Sequence, residues 1–266
     1  MKLAWITDPH LDHIEQADRD SFYAEIAAAS PDAVVITGDI SEGPTFAKHL
    51  RLMGERVGVP IYFVLGNHDF YKSSVTESRK QARVLTQEDP RAKWLPAVGI
   101  VPLTEETCLI GHDGWYDGRL GDYHTSRVEL NDFYCIEDFV MIPGGGARLA
   151  LMRKLAHDAT EYVRETLSEA LGQFKRVIVA THVPPFKEAS THEGKISGPA
   201  WLPFFSCQEM GDVLMAAAKV ASGRAVTVLC GHSHSPATVR PCSNLTVRTG
   251  GARYGKPQVQ EVLTIR

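Results

Sequence analysis

Five short stretches of this chain carry side chains that can ligate a metal: Asp8-Pro9-His10, Gly38-Asp39, Gly66-Asn67-His68-Asp69, Thr181-His182 and Gly231-His232-Ser233-His234. Carboxylate, imidazole and amide oxygen are donors suited to Mn, Fe, Zn or Co. No cysteine stands among them, which argues against a structural zinc site. Each stretch alone has a bland reading, a turn residue beside a surface or core histidine. Five in a row, each closing an apolar run, are harder to dismiss. On an extended strand end, residues two apart point the same way. Asp8 and His10, and likewise His232 and His234, are therefore expected to face one cavity.

Strands must bring these residues together. Residues 2–7, 33–37, 60–65, 176–180 and 225–230 are apolar, β-branched runs, each ending in one of the stretches above. Between the first three lie helical patterns at 18–30 and 45–54, and 149–174 reads as one long amphipathic helix. Short strands follow at 245–249 and 258–265. Strands alternating with helices predict an α/β layered fold, in which sites gather at the carboxyl ends of strands. Two segments, 112–146 and 184–206, break the pattern with Gly, Pro and aromatics. They are predicted as long loop insertions that overhang the site, with Trp115, Tyr116 and Trp201 as candidate substrate contacts. No repeat or linker divides the chain, which predicts a single domain over 1–266.

Composition narrows the class. An apolar fraction of 44% supports a sizeable core, and a net charge of −4 argues against general nucleic-acid binding. The five cysteines are odd in number and lack a C-x-x-C pair, so free thiols in a reducing compartment are expected. There is no signal-peptide pattern at the N-terminus and no apolar run of about eighteen residues. The expectation is a cytoplasmic protein without a membrane span.

The ordered series D-x-H, G-D, G-N-H-[DE], H and G-H-x-H, spanning Asp8 to His234, resembles the calcineurin-like metallophosphoesterases. The resemblance implies a four-layer sandwich of two facing mixed β-sheets flanked by helices, with two divalent or transition metal ions at one sheet edge. The first metal would take Asp8, His10, Asp39 and His234, and the second Asp39, Asn67, His182 and His232. Asp39 would then bridge the pair, holding the ions about 3.5–4 Å apart, so that a bridging hydroxide attacks phosphorus. His68 is implied to stabilise the transition state or protonate the leaving oxygen, with Asp69 orienting its ring. The implied activity is hydrolysis of a small-molecule phosphoester, a phosphodiester or organic phosphate. Thr7, Pro9 and Thr181 depart from common family residues without removing a ligand. The run Asp39-Ile40-Ser41-Glu42-Gly43 lacks the phosphate-gripping arginine that the Ser/Thr protein phosphatase branch carries in D-R-G, which disfavours a phosphoprotein phosphatase. Some members of this fold are protein-binding scaffolds with eroded ligands, but here the ligand set is complete.

Other residues stay open at this point. His13 is expected to start a helix or face solvent, and His124 and His192 to lie on the surface. His112, Asp113, Trp115 and Tyr116 either line a pocket or cap a strand with aromatics packed beneath. Trp201, Phe204 and Phe205 either wall a pocket or anchor their loop.

Overall fold

In the computed structural model, which describes residues 1–266, the apolar runs become the inner strands of two sheets. In chain order the strands are β1 (Lys2–Ile6), β2 (Ala33–Thr37), β3 (Ile61–Val64), β4 (Ala92–Trp94), β5 (Val101–Pro102), β6 (Thr107–Gly111), β7 (Arg176–Ala180), β8 (Thr191–His192), β9 (Lys195–Ile196), β10 (Ala225–Cys230), β11 (Ala237–Cys242), β12 (Leu245–Thr249) and β13 (Val259–Thr264). The first sheet has the order β13-β1-β2-β3-β4 and the second β11-β12-β10-β7-β6-β5, while β8 and β9 form a separate hairpin. β1 to β4 run parallel, with β13 antiparallel at the edge. In the second sheet β12, β10, β7 and β6 run parallel between the antiparallel edges β11 and β5.

Parallel strands covered on both faces need apolar residues at every position, and the five residues of β2 are all buried. Alternation within each strand assigns each side chain to a layer. Leu3, Trp5, Val35 and Val64 of the first sheet join Leu109, Ile178, Ala180 and Leu229 of the second in an 11-residue cluster between the sheets. Their neighbours Ile6, Val34, Ile36, Phe63, Ile110, Val179 and Val228 belong instead to a 54-residue cluster shared with the helices. Each Val, Leu or Ile so buried stabilises the fold by roughly 1.5–3 kcal/mol. The result is the mixed α/β sandwich that the resemblance implied, two sheets flanked by helices.

Helices Gln16–Ala28, Phe46–Val57 and Val75–Glu88 follow β1, β2 and β3, and Gly145–Gln173 and Gln208–Val220 lie against the second sheet. Ser74 caps Val75–Glu88 by accepting the Glu77 N–H at 3.1 Å. The longest helix starts four residues before the expected 149. Gly144, at φ 91°, turns the chain, so that Gly145 and Gly146 already lie in the first helical turn. Nor is the segment 112–146 without structure, since it holds the short helices Asp132–Cys135 and Glu137–Val140. The segment 184–206 contains the β8–β9 hairpin and the short helix Leu202–Phe205. All five cysteines are free, and no helix is long and apolar enough to cross a membrane.

Candidate metal centre

Hydrogen bonds beyond the strand ends carry the ladders into the five motif turns. The Asp8 N–H donates to Gly38 O at 3.1 Å and the His10 N–H to Asp39 O at 3.1 Å. In the second sheet the Thr181 N–H reaches Leu229 O at 3.0 Å and the Gly231 N–H reaches His182 O at 2.9 Å. All seven sequence-predicted ligands thereby meet at one edge of the sandwich.

The backbone does so by a route other than the extended one expected for D-x-H and H-x-H. Asp8, His10, Asp39, His232 and His234 have φ of 47°, 41°, 50°, 68° and 55°, all left-handed. A side chain in this region costs of order 1–2 kcal/mol per residue, and such strain persists only where the surroundings over-determine it. Here a sharp bend at each donor turns both members of a pair towards the same cavity. The motif glycines give these bends room. A Cβ on Gly66 would overlap the Asp39 carboxylate, and one on Gly231 the Thr7 hydroxyl and the Asp8 carboxylate.

Around Asn67 the protons can be counted. His182 Nδ1 lies 2.9 Å from Thr37 O, so it carries the proton and leaves a lone pair on Nε2. His232 Nε2 lies 2.8 Å from Phe204 O, which leaves the lone pair on its Nδ1. Both lone pairs face Asn67 Oδ1, at 3.0 and 2.9 Å, and this oxygen is also an acceptor. The amide cannot turn its NH2 inward, because Nδ2 donates to Asp132 Oδ1 at 2.9 Å. Asp39 Oδ1, which accepts the His68 N–H at 2.9 Å, lies 3.4 Å from His182 Nε2. Burial, then the neighbouring His182, push His232 down to about 3, so it is neutral at pH 7. Three converging acceptors without a hydrogen between them repel one another, and a cation is the group that they fit.

The second cluster comprises Asp8, His10, Asp39 and His234, whose donor atoms all lie within 4.8 Å of one another. His234 Nε2 is 3.1 Å from His10 Nε2 and 3.3 Å from Asp8 Oδ1. Asp39 Oδ2 is 3.8 Å from His10 Nε2, so the two oxygens of Asp39 face the two clusters. Burial, then the Asp8 charge, hold Asp39 well above the usual carboxylate range. Burial also acts to raise Asp8, but the hydrogen bond and charge of His234 outweigh it and leave Asp8 lowered. Burial, then the nearby His68, push His10 down to about 2. Burial acts to lower His234, but the hydrogen bond and charge of Asp8 outweigh it and leave His234 raised, so the two carboxylates share this cavity with one imidazole that resists protonation, His10, and one that favours it.

His68 lies at the rim, its ring stacked on Tyr71 at 4.3 Å, with Nε2 3.9 Å from Asp39 Oδ2. Burial pushes it down to about 4, so it is neutral at pH 7 and can donate one hydrogen bond. Asp69 does not orient this ring, contrary to expectation. Its carboxylate accepts the N–H groups of Ile40, Ser41 and Gly66 at 3.0, 3.0 and 2.8 Å, which ties the turn after β2 to the turn after β3.

The two irregular segments reach the site from below and from the side. Trp115 and Tyr116 are 2% and 0% exposed, too deep to serve as the substrate contacts expected of them. Trp115 stacks on Phe139 at 5.8 Å, and the Tyr116 hydroxyl donates to Asp132 Oδ2 at 2.7 Å. Asp132, which sequence reasoning missed, also accepts the Tyr71 hydroxyl at 2.6 Å. From the second segment come the Phe204 carbonyl on His232 and the Phe205 ring, 4.7 Å from the His232 ring, with Trp201 half-exposed beside it at 5.9 Å. Asp113 accepts from Leu65 N, Trp94 Nε1 and Arg79 Nε, and His112 packs on Tyr162, so both serve the strand end. His13 ends a short turn with its side chain 45% exposed, and His124 and His192 are exposed.

A family model described as calcineurin-like phosphoesterase matches residues 1–236, and the chain belongs to that family. Its fold is similar to that of the phosphopantetheinyl hydrolase of Mycobacterium tuberculosis, with a TM-score of 0.69 at 16% identity over 94% of this chain and 89% of that one. A dimetal phosphatase from Danio rerio gives a TM-score of 0.59 at 13% identity over 97% and 89% of the two chains. At these identities the likeness establishes the fold. No curated protein matches the sequence. The family is metal-dependent, and the buried Asp8–His10–Asp39–His234 cluster is able to bind metal.

Proposed function

We propose that the protein hydrolyses a phosphoester, a small phosphodiester or organic phosphate, with two metal ions drawn from Mn, Fe, Zn or Co. Asp8, His10, Asp39 and His234 hold one, and Asp39, Asn67, His182 and His232 hold the other. The observation that carries this reading is the convergence of three proton-free acceptors at Asn67, together with an Asp39 carboxylate facing both clusters. The bound ions supply Lewis acidity to the phosphoryl group and to the attacking water.

The chain's own residues divide the remaining work. The carbonyls of Thr37 and Phe204 fix the tautomers of His182 and His232, which keeps the donor nitrogens unprotonated. Asp69 sets the backbone on either side of Asp39 and Asn67. His68, outside both donor sets and part exposed, is left free to hydrogen-bond a phosphoryl or leaving-group oxygen. At the position of the protein-phosphatase arginine, Glu42 pairs with Lys72, and no arginine stands there. Both sheets contribute ligands, so the chain acts as one domain over 1–266, and its free thiols suit a reducing compartment such as the cytoplasm.

The test is metal content together with hydrolysis of aryl phosphomonoesters and phosphodiesters in Mn. Wild-type protein is expected to bind two ions per chain and turn over at least one of these esters. Asp39→Ala is expected to lose metal and nearly all activity. Unchanged metal content and turnover in that variant refute the assignment.

A further inference from the structure

The chain leaving β12 doubles back over the metal centre in a turn that no motif marks. The base of this turn is pinned. The Gly251 N–H donates to Gln260 Oε1 at 2.9 Å, and its carbonyl accepts from Gln260 Nε2 at 2.8 Å and Gln258 Nε2 at 3.0 Å. The Ala252 N–H donates to the carbonyl of His234 at 3.1 Å, which couples the turn to a donor residue. At its tip the Lys256 N–H donates to Arg253 O at 3.0 Å, and Gly255 takes φ 76°, as the third residue of a type II turn must. Tyr254 is the second residue of that turn.

This placement sets the Tyr254 ring among four imidazoles. Its centroid lies 4.4 Å from His10, 5.1 Å from His13, 5.3 Å from His234 and 6.1 Å from His68. A tyrosine that merely covered the histidines would leave its hydroxyl in solvent. Here the hydroxyl lies 3.4 Å from Nε2 of His68, the imidazole outside both metal donor sets, while 52% of the residue stays exposed. One side of Tyr254 thus meets the reacting centre, and the rest is open to whatever enters.

We propose that Tyr254 is a substrate-contacting residue, which rests on the phosphoesterase reading above. Its hydroxyl and His68 Nε2 frame one oxygen of the phosphoryl group. Its ring is the platform for the organic group of the ester, which selects esters whose organic part presents a flat or apolar face beside the phosphate, an aryl or heteroaryl group.

Two variants separate hydroxyl from ring, and calorimetric binding of orthophosphate and phenylphosphonate to the metal-loaded protein supplies a readout besides turnover. Tyr254→Phe is expected to keep both metals, to bind phenylphosphonate within about twofold of wild type, and to lower kcat on an aryl phosphodiester about tenfold with KM little changed. Tyr254→Ala is expected also to weaken phenylphosphonate binding and raise KM, each about 5- to 10-fold, with a smaller effect on orthophosphate. Wild-type binding and turnover in Tyr254→Ala overturn the proposal, as does loss of metal from that variant, which would make the residue a structural support. If the wild type binds two metals but hydrolyses no ester, the phosphoesterase reading fails. The phenylphosphonate comparison still decides whether Tyr254 is a ligand platform.

Discussion

Asp132 is the point at which the Asn67 cluster can be disturbed without touching a donor. Its carboxylate accepts three hydrogen bonds, from Asn67 Nδ2 at 2.9 Å, the Tyr71 hydroxyl at 2.6 Å and the Tyr116 hydroxyl at 2.7 Å, and the residue is 1% exposed. Each bond to a charged acceptor contributes roughly 1.5–3 kcal/mol, so Asp132→Ala removes on the order of 5–9 kcal/mol. That rivals the whole stability of a domain, about 5–15 kcal/mol, and the alanine variant is expected not to fold. Asp132→Asn is the informative change. It keeps shape and one acceptor oxygen, but it no longer dictates which way the Asn67 amide points. Once that amide turns, an NH2 replaces Oδ1 in front of the His182 and His232 lone pairs. Loss of such an orienting partner typically weakens a metal site 10- to 100-fold, about 1.4–2.7 kcal/mol. Titration of Mn into the metal-free protein, followed by calorimetry against a competing chelator, is expected to show one weakened site and one unchanged. The unchanged site is that of Asp8, His10 and His234, none of which bonds to Asp132. Wild-type affinity at both sites in a folded Asp132→Asn protein would refute the proton count around Asn67.

Gly231→Ala places a methyl group against the Asp8 carboxylate and the Thr7 hydroxyl. Overpacking of this kind costs about 1–3 kcal/mol, and thermal unfolding should show that loss together with depletion of the Asp8-side metal; a variant with normal metal content would mean that the turn yields. Acid should remove one identifiable contribution to the metal-free fold. His112 is buried in a strand-end contact and held at about 4 by burial, against an ordinary 6.5. Below pH 6.5 the unfolded chain takes up a proton that the folded chain refuses, so this contribution to stability is whole above 6.5 and declines between 6.5 and 4. The decline is on the order of 3 kcal/mol. His10, His68 and His232, all lowered, act in the same direction, while His234, Asp39 and Asp69, all raised, act against it. Urea unfolding at pH 7.5 and 5 is expected to shift less towards the unfolded state at the lower pH in His112→Gln than in the wild type, and equal shifts would assign the effect elsewhere.

Much of the centre is legible in the sequence because donor chemistry belongs to the residue. Carboxylate, imidazole and amide stand at the ends of apolar runs; parallel pairing aligns those ends within each sheet, and packing of the two sheets brings Asp8, His10, Asp39, Asn67, His182, His232 and His234 to one edge. Even the motif glycines have a reason that the sequence hints at, the space beside each donor. Tertiary structure decided what depends on distant partners. The left-handed backbone at five donors arises from turns held by other turns, so a local rule for extended strands put the D-x-H and H-x-H pairs in the right place for the wrong reason. Asp69, beside His68 in sequence, faces backbone N–H groups rather than the imidazole. Trp115 and Tyr116 lie in an irregular segment, but that segment packs beneath the site, so aromatic composition could not separate a wall from a floor. Asp132 meets Asn67 from 65 residues away, and Tyr254 meets His68 from 186. No periodicity or spacing encodes such contacts, because they form only when both sheets and their connections close around the same edge.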